Sequence, residues 1–171
     1  MISVRIAIDG WEFEVDISAT EAYSATEAAE HCDCAYCRNF YASVDEQYPD
    51  LRPFLAQFGV NMEAPDVLMP FDILGRMNYD GFYAVCGRIV TVGKLTLRIG
   101  KAEIRPGEFF DLDINTGCSK PYFFLNISGV LLPWVLDEPM ESVVSPANQP
   151  SFLRKMWARL LGKSRNNTPY S

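Results

Sequence analysis

The chain's one histidine and three of its five cysteines fall within a single short string, His31-Cys32-Asp33-Cys34-Ala35-Tyr36-Cys37. Thiolate sulfur and imidazole nitrogen are the ligands that a thiophilic ion such as zinc selects, and structural zinc sites use four of them. His31, Cys32, Cys34 and Cys37 are therefore the candidate metal residues, with Asp33 or a distant Cys86 or Cys118 as other sources of a fourth ligand. The spacing departs from paired Cys-x-x-Cys knuckles. Neighbours such as His31 and Cys32 point apart in regular backbone, so local convergence of all four requires a tight loop, and a distant fourth ligand is easier. A second chemistry is thiol exchange. Cys34 and Cys37 are spaced for a disulfide, and a helix starting there would offer N–H groups, together with Arg38, to a Cys34 thiolate. The third reading needs no chemistry: free cysteines are small buried hydrophobes, Tyr36, Phe40 and Tyr41 are core aromatics, and His31 is a hydrogen-bonded loop residue. Packing leads these three readings, with metal next and thiol chemistry after it.

Other candidate constellations are poorer. Asp111, Asp113 and Asn115 place oxygen side chains on one strand face, but Thr116 stands where a calcium loop needs glycine, and Tyr122 where it needs the bidentate glutamate. Alternation with Phe110, Leu112 and Ile114 reads as a solvated strand face. With a single imidazole and no Gly-x-Ser-x-Gly elbow, a serine-hydrolase arrangement is disfavoured. No glycine-rich phosphate loop opens a helix. An enzyme is thus the less favoured class.

Charge narrows the partners. Residues 1–150 hold all 22 Asp and Glu against ten of the 15 Lys and Arg, a balance of −12, whereas residues 151–171 carry five basic residues and no acid. An acidic body argues against nucleic acid, whose affinity rests on clustered Lys and Arg. No apolar run reaches the roughly 20 residues that a membrane-spanning helix needs, and Met1-Ile2-Ser3-Val4-Arg5 lacks the pattern of a secretory signal. The expected location is the cytoplasm, and Asn126-Ile127-Ser128 and Asn166-Asn167-Thr168 are accordingly not read as glycosylation sites. An odd number of cysteines in a reducing compartment also speaks against a fully paired disulfide framework.

The elements that must position these residues follow from periodicity. Val4, Ile6 and Ile8 alternate with polar neighbours, Asp9-Gly10 suits a two-residue turn, and Trp11, Phe13, Val15 and Ile17 alternate beyond it, predicting a hairpin over 2–17. Helical spacing follows: Ala25 to Glu30, Arg38 to Val44, and a segment capped by Asp50 that puts Leu51, Phe54, Leu55 and Phe58 on one face and ends at Gly59. Asn61 to Asn78, with Pro65 and Pro70, reads as an irregular connection. Strands are expected at Phe82–Val92, Lys94–Ile99, Glu108–Asn115 and Tyr122–Val135. Their short separations leave no room for crossovers and make them antiparallel. The fold class is α+β: a predominantly antiparallel sheet, as a sandwich or a curled sheet, with a helical segment at about 20–60. Residues 1–140 form one domain, 141–150 a proline-containing linker, and 151–171 a basic tail. Within the tail Phe152, Leu153, Met156, Trp157, Leu160 and Leu161 share one stripe of a C-terminal amphipathic helix. Docking on the acidic body or on a second copy is favoured for that stripe, ahead of weak contact with a membrane surface by 151–162.

The string Cys-Asp-Cys-Ala-Tyr-Cys-Arg-Asn-Phe at 32–40, the segment from Phe58 through Gly59 to Pro65 and Val67, and Leu132-Pro133-Trp134-Val135-Leu136-Asp137-Glu138-Pro139 resemble a family of small bacterial proteins with no assigned activity. The resemblance spans most of residues 1–140 and implies a bacterial cytoplasmic domain. It carries over no catalytic or binding residue. Two functional classes follow: a non-enzymatic protein-binding or scaffold module, with a structural zinc at the cysteine cluster, or a thiol-based redox or metal-dependent enzyme or sensor using Cys32, Cys34 and Cys37.

Overall fold

The structure is a computed structural model that describes residues 3–29, 32–73, 76–109, 114 and 116–140. The linker at 141–150, the tail at 151–171, His31, Asp111, Asp113 and Asn115 lie outside the described residues.

The N-terminal alternation forms β1 (Val4–Ile8) and β2 (Trp11–Val15), paired antiparallel with Ile8 opposite Trp11. Asp9 and Gly10 both take positive φ, at 48° and 84°. That backbone gives a two-residue hairpin turn the twist its strands require. The apolar alternation continues through Ile17, yet the strand stops at Val15. Asp16 accepts the backbone N–H of Ala19 through Oδ1 at 3.0 Å and so caps α1 (Ile17–Ala29), which is longer at its N-terminal side than the helical spacing of Ala25 to Glu30 implied. Next come α2 (Ala35–Gln47) and α3 (Leu51–Ala56). Gly59 has φ of 77°, and a Cβ there would stand 2.7 Å from the Ile17 carbonyl oxygen, so glycine is required where the chain turns under α1.

Residues 61–78 depart from the expected irregular connection. β3 (Val67–Ile73) pairs antiparallel with the first half of β4 (Arg76–Thr91), from Val67 opposite Phe82 to Ile73 opposite Arg76. β5 (Leu97–Ile99) and β6 (Ala102–Gly107) form a further hairpin, and β7 (Tyr122–Leu132) runs between β4 and β6. The expected strand at Glu108–Asn115 is not formed in its described part: β6 occupies the preceding residues and ends at Gly107.

All pairings join one seven-stranded antiparallel sheet in the order β1-β2-β4-β7-β6-β5, with β3 on β4 beside the stretch that β2 leaves open. Successive strand residues face opposite sides, so a helix layer on one side only would leave alternate residues wet. β4 is instead buried continuously from Gly81 to Cys86. Tyr83 and Val85 pack with Phe40 and Val44 of α2, Phe54 and Leu55 of α3, and Phe13, Phe58 and Phe123. On the other side Phe82, Ala84, Cys86 and Phe124 pack with Met69 and Cys118, over which lie Ala19 and Tyr23 of α1. The helices thus cover both sides of the central strand pair. Phe58 stands edge-on to Phe13 with ring centroids 5.4 Å apart, an arrangement worth about 0.5–1.5 kcal/mol beyond the burial itself.

Candidate metal centre

Cys34 is the residue immediately before α2, with extended backbone at φ −61° and ψ 158°. Cys37 lies three residues on, one turn into the helix, so the two side chains share a face. Cys32 folds back to them, and its sulfur accepts the Cys34 backbone N–H at 3.5 Å. The ligand atoms of Cys32, Cys34 and Cys37 all lie within 4.8 Å of one another, close enough to hold one ion. Two thiolates on a tetrahedral ion with bonds of about 2.3 Å stand roughly 3.8 Å apart, so closure by at most about 1 Å completes the geometry. Cys32 and Cys34 are exposed and Cys37 is buried. Core packing therefore accounts for Cys37 alone among the three.

The cluster opens on a pocket of about 320 Å³, whose wall includes Glu27 of α1, Tyr41 of α2, Pro65 and Asp66 from the approach to β3, and Leu68 within it. Its charge state is set by competition. Burial pushes the Cys34 thiol up, but the backbone N–H groups of Cys37 and Tyr36 and the neighbouring thiols outweigh it and hold Cys34 below the ordinary thiol range. Burial pushes Cys37 far up, and negative charge on Cys34 and Cys32 adds to the rise. One anionic sulfur is thus favoured and a second is opposed. A cation at the centre of the three would remove that opposition.

What fixes the N-terminal end of α2 is the segment after β7. The fully buried Asn39 amide donates to the Tyr79 hydroxyl and to the Pro133 carbonyl, both at 3.1 Å, and its Oδ1 accepts the Val135 N–H at 2.8 Å. Tyr79 in turn donates to the Tyr36 carbonyl at 2.9 Å. The Tyr36 ring meets Trp134 with centroids 5.9 Å apart, and Arg38 pairs with Glu138 while donating to the Asp33 carbonyl. The strings 32–40 and 132–139 are therefore two sides of one contact. The cysteine loop is its free end.

Of the sequence-predicted ligands, Cys32, Cys34 and Cys37 come together, while His31 lies outside the described residues. Cys86 and Cys118 do not join them as a distant fourth ligand. They meet each other, Sγ to Sγ at 2.6 Å, with the Cys86 N–H donating to Thr20 Oγ1. No spacing rule signals that pair, because only the β4–β7 register and the loop before β7 bring the two residues together. Among the described residues no helix is long and apolar enough to cross a membrane. No protein-family model, curated protein or solved structure matches the chain.

Proposed function

We propose that the protein is a non-enzymatic binding module built around a thiolate metal centre, with Cys32, Cys34 and Cys37 holding one ion of the zinc class. The observation that carries this reading is the convergence of three sulfurs within 4.8 Å, two of them exposed, at the N-terminal end of a helix anchored from behind. Soft sulfur ligands in that number favour zinc-like ions over the hard cations that carboxylates select. Glu27 or water on the pocket side, or the neighbouring His31, supplies the fourth position. The metal's role is structural: it ties the loop leading out of α1 to the first turn of α2 and fixes the surface that the loop, Arg38 and Glu138 present to a protein partner or a second copy.

The test is metal content by elemental analysis on protein purified under reducing conditions, with cobalt as a spectroscopic substitute. One equivalent of zinc is expected, together with thiolate-to-cobalt charge-transfer absorption that is lost in Cys34→Ser and in Cys37→Ser. Reduced protein that takes up neither ion overturns the reading. If the same preparation then forms a Cys34–Cys37 disulfide, thiol exchange at the cluster replaces it.

A further inference from the structure

Cys86 and Cys118 form a second thiol site, independent of the first. Their sulfurs lie 2.6 Å apart, well inside the contact distance of two unbonded sulfur atoms, and both residues are under a tenth exposed. Two sulfurs enclosed by Phe82, Ala84 and Phe124 are too few to complete a metal shell, and the ligand atoms of no third Cys, His, Asp or Glu among the described residues group with them. What two converging thiols can form is a bond to each other.

Among the described residues a pocket reaches Cys86. Cys86 lines a pocket of about 350 Å³ together with Asp16, Gly87, Arg88, Lys120 and Pro121, whereas Cys118 does not line it. The hydrogen bond from the Cys118 thiol lowers the Cys86 thiol to about 7, against the opposing effect of burial, and Cys118 itself is driven up by sharing its proton with Cys86 and by burial. The accessible sulfur is thus the nucleophile and the enclosed one holds the proton, the division of labour that thiol–disulfide exchange requires.

We infer that Cys86 and Cys118 are a reversible disulfide pair that exchanges with low-molecular-weight disulfides entering through the Arg88–Lys120 pocket. The Cys86 thiolate attacks one sulfur of the small disulfide RSSR, forming the mixed disulfide Cys86–S–SR and releasing RS⁻. The Cys118 thiol gives up its proton to that RS⁻, and its sulfur attacks Cys86 Sγ and expels the second RS⁻, which takes the proton first lost by Cys86. Two protein thiols are oxidised to one disulfide, and RSSR is reduced to two RSH. The product ties β4 to the loop that leads into β7.

Oxidised glutathione added to the full-length reduced chain, followed by thiol blocking and peptide mass mapping, tests this. The expected product is a peptide pair joined through Cys86 and Cys118, two hydrogen masses lighter than the reduced pair and reopened by dithiothreitol. In Cys118→Ser the reaction should stop at a glutathione adduct on Cys86. In Cys86→Ser, residue 118 should stay unmodified. Free, blockable thiols at both positions after incubation overturn the inference, as does a crosslink that dithiothreitol fails to open. Mapping separates this pair from any bond within Cys32, Cys34 and Cys37, so the outcome does not depend on the metal centre.

Discussion

Cys32 and Cys34 are exposed and meet the buried Cys37 on a stretch of backbone that runs straight into one helix, while Cys86 and Cys118 are both buried, 32 residues apart in sequence, one on a central strand and one in the loop before another. The first group converges through local geometry: one helical turn and one reversed loop suffice. The second converges only when the sheet has its register. Exposure then separates their chemistry. Three cysteines lining one pocket can receive an ion and complete its shell from the pocket side, whereas the two of the buried pair, with no third ligand grouped with them among the described residues, can bond to each other. In the two roles proposed above, the same residue type is a loop clasp in one place and a strand-to-loop tie in the other, and the decisive variables are ligand number and access.

The largest expected effect comes from closing the buried pair. A disulfide across a loop of this length should stabilise by about 3–4 kcal/mol in the chain-entropy account, because it restricts the unfolded chain. For a chain of this size that is a rise in Tm on the order of 10 °C. Calorimetry of the glutathione-oxidised and dithiothreitol-reduced forms measures it, and Cys86→Ser should show no difference between the two conditions. An equal shift in that variant would place the crosslink in the exposed cluster and reverse the roles assigned to the two groups.

A somewhat smaller effect should come from the anchor behind the exposed cluster. Asn39→Ala removes three hydrogen bonds and leaves the Val135 N–H, the Pro133 carbonyl and the Tyr79 hydroxyl short of a partner in or near the core. The expected cost is about 2–3 kcal/mol by chemical denaturation. Because the amide holds the end of α2 that carries Cys34 and Cys37, zinc affinity should fall about tenfold or more, as for other residues that position metal ligands. Crosslinking of Cys86 with Cys118 should continue at the original rate. If the variant loses stability while zinc affinity stays unchanged, the loop closes by itself, and the contact with 133–138 serves only the fold.

Much of this contrast could be read from residue order, and the part that could not has physical causes. The β1–β2 hairpin was legible because Asp9-Gly10 supplies two residues that tolerate positive φ between clean alternations. The antiparallel α+β class was legible from short gaps between strands, and the helical region from the spacing of Phe40, Val44, Leu51, Phe54 and Phe58. β3 was hidden by Pro70, which reads as a breaker. Pro70 is tolerated because β3 is an edge strand bonded only to β4, so a missing donor can face away from the ladder. β6 was hidden by Pro106-Gly107, yet β5 pairs only as far as Ile104, which leaves one side of Pro106 free. At the cluster, residue types and the need for a reversing loop were visible in the sequence. The anchoring role of Asn39 was not, since a lone asparagine inside a helix carries no pattern. A buried amide with both ends satisfied by distant backbone is a product of tertiary packing alone.

The smallest expected effect tests whether the two groups act independently. Tyr23 links their surroundings: its hydroxyl donates to Asp66 Oδ1 at 2.5 Å and meets Thr116 Oγ1 at 2.8 Å, Thr116 Oγ1 accepts the Cys118 N–H at 3.1 Å, and Asp66 lines the pocket of the exposed cluster. Tyr23→Phe cuts this chain in the middle. Asp66 keeps the Ala84 N–H and Cys118 keeps Thr116, so the cost should be about 1–2 kcal/mol, with zinc affinity and the crosslinking rate both unchanged. The cost should also depend on pH with a definite sign. Burial raises the Asp66 carboxyl above its ordinary range despite the hydrogen bonds from Tyr23 and Ala84, so its folded pKa exceeds the unfolded one. Stability from such a group is complete below the unfolded pKa and is lost as pH rises through the folded one. Removing the Tyr23 donor destabilises the carboxylate further and moves the folded pKa still higher, which enlarges that loss. The deficit of Tyr23→Phe should therefore be smallest in acid and grow toward neutral pH, as read from urea titrations at several pH values. A deficit that shrinks on the way to neutrality would mean that the phenol stabilises the protonated acid. A change in either zinc uptake or glutathione-driven crosslinking in this variant would show that the exposed cluster and the buried pair communicate through Tyr23 and Asp66.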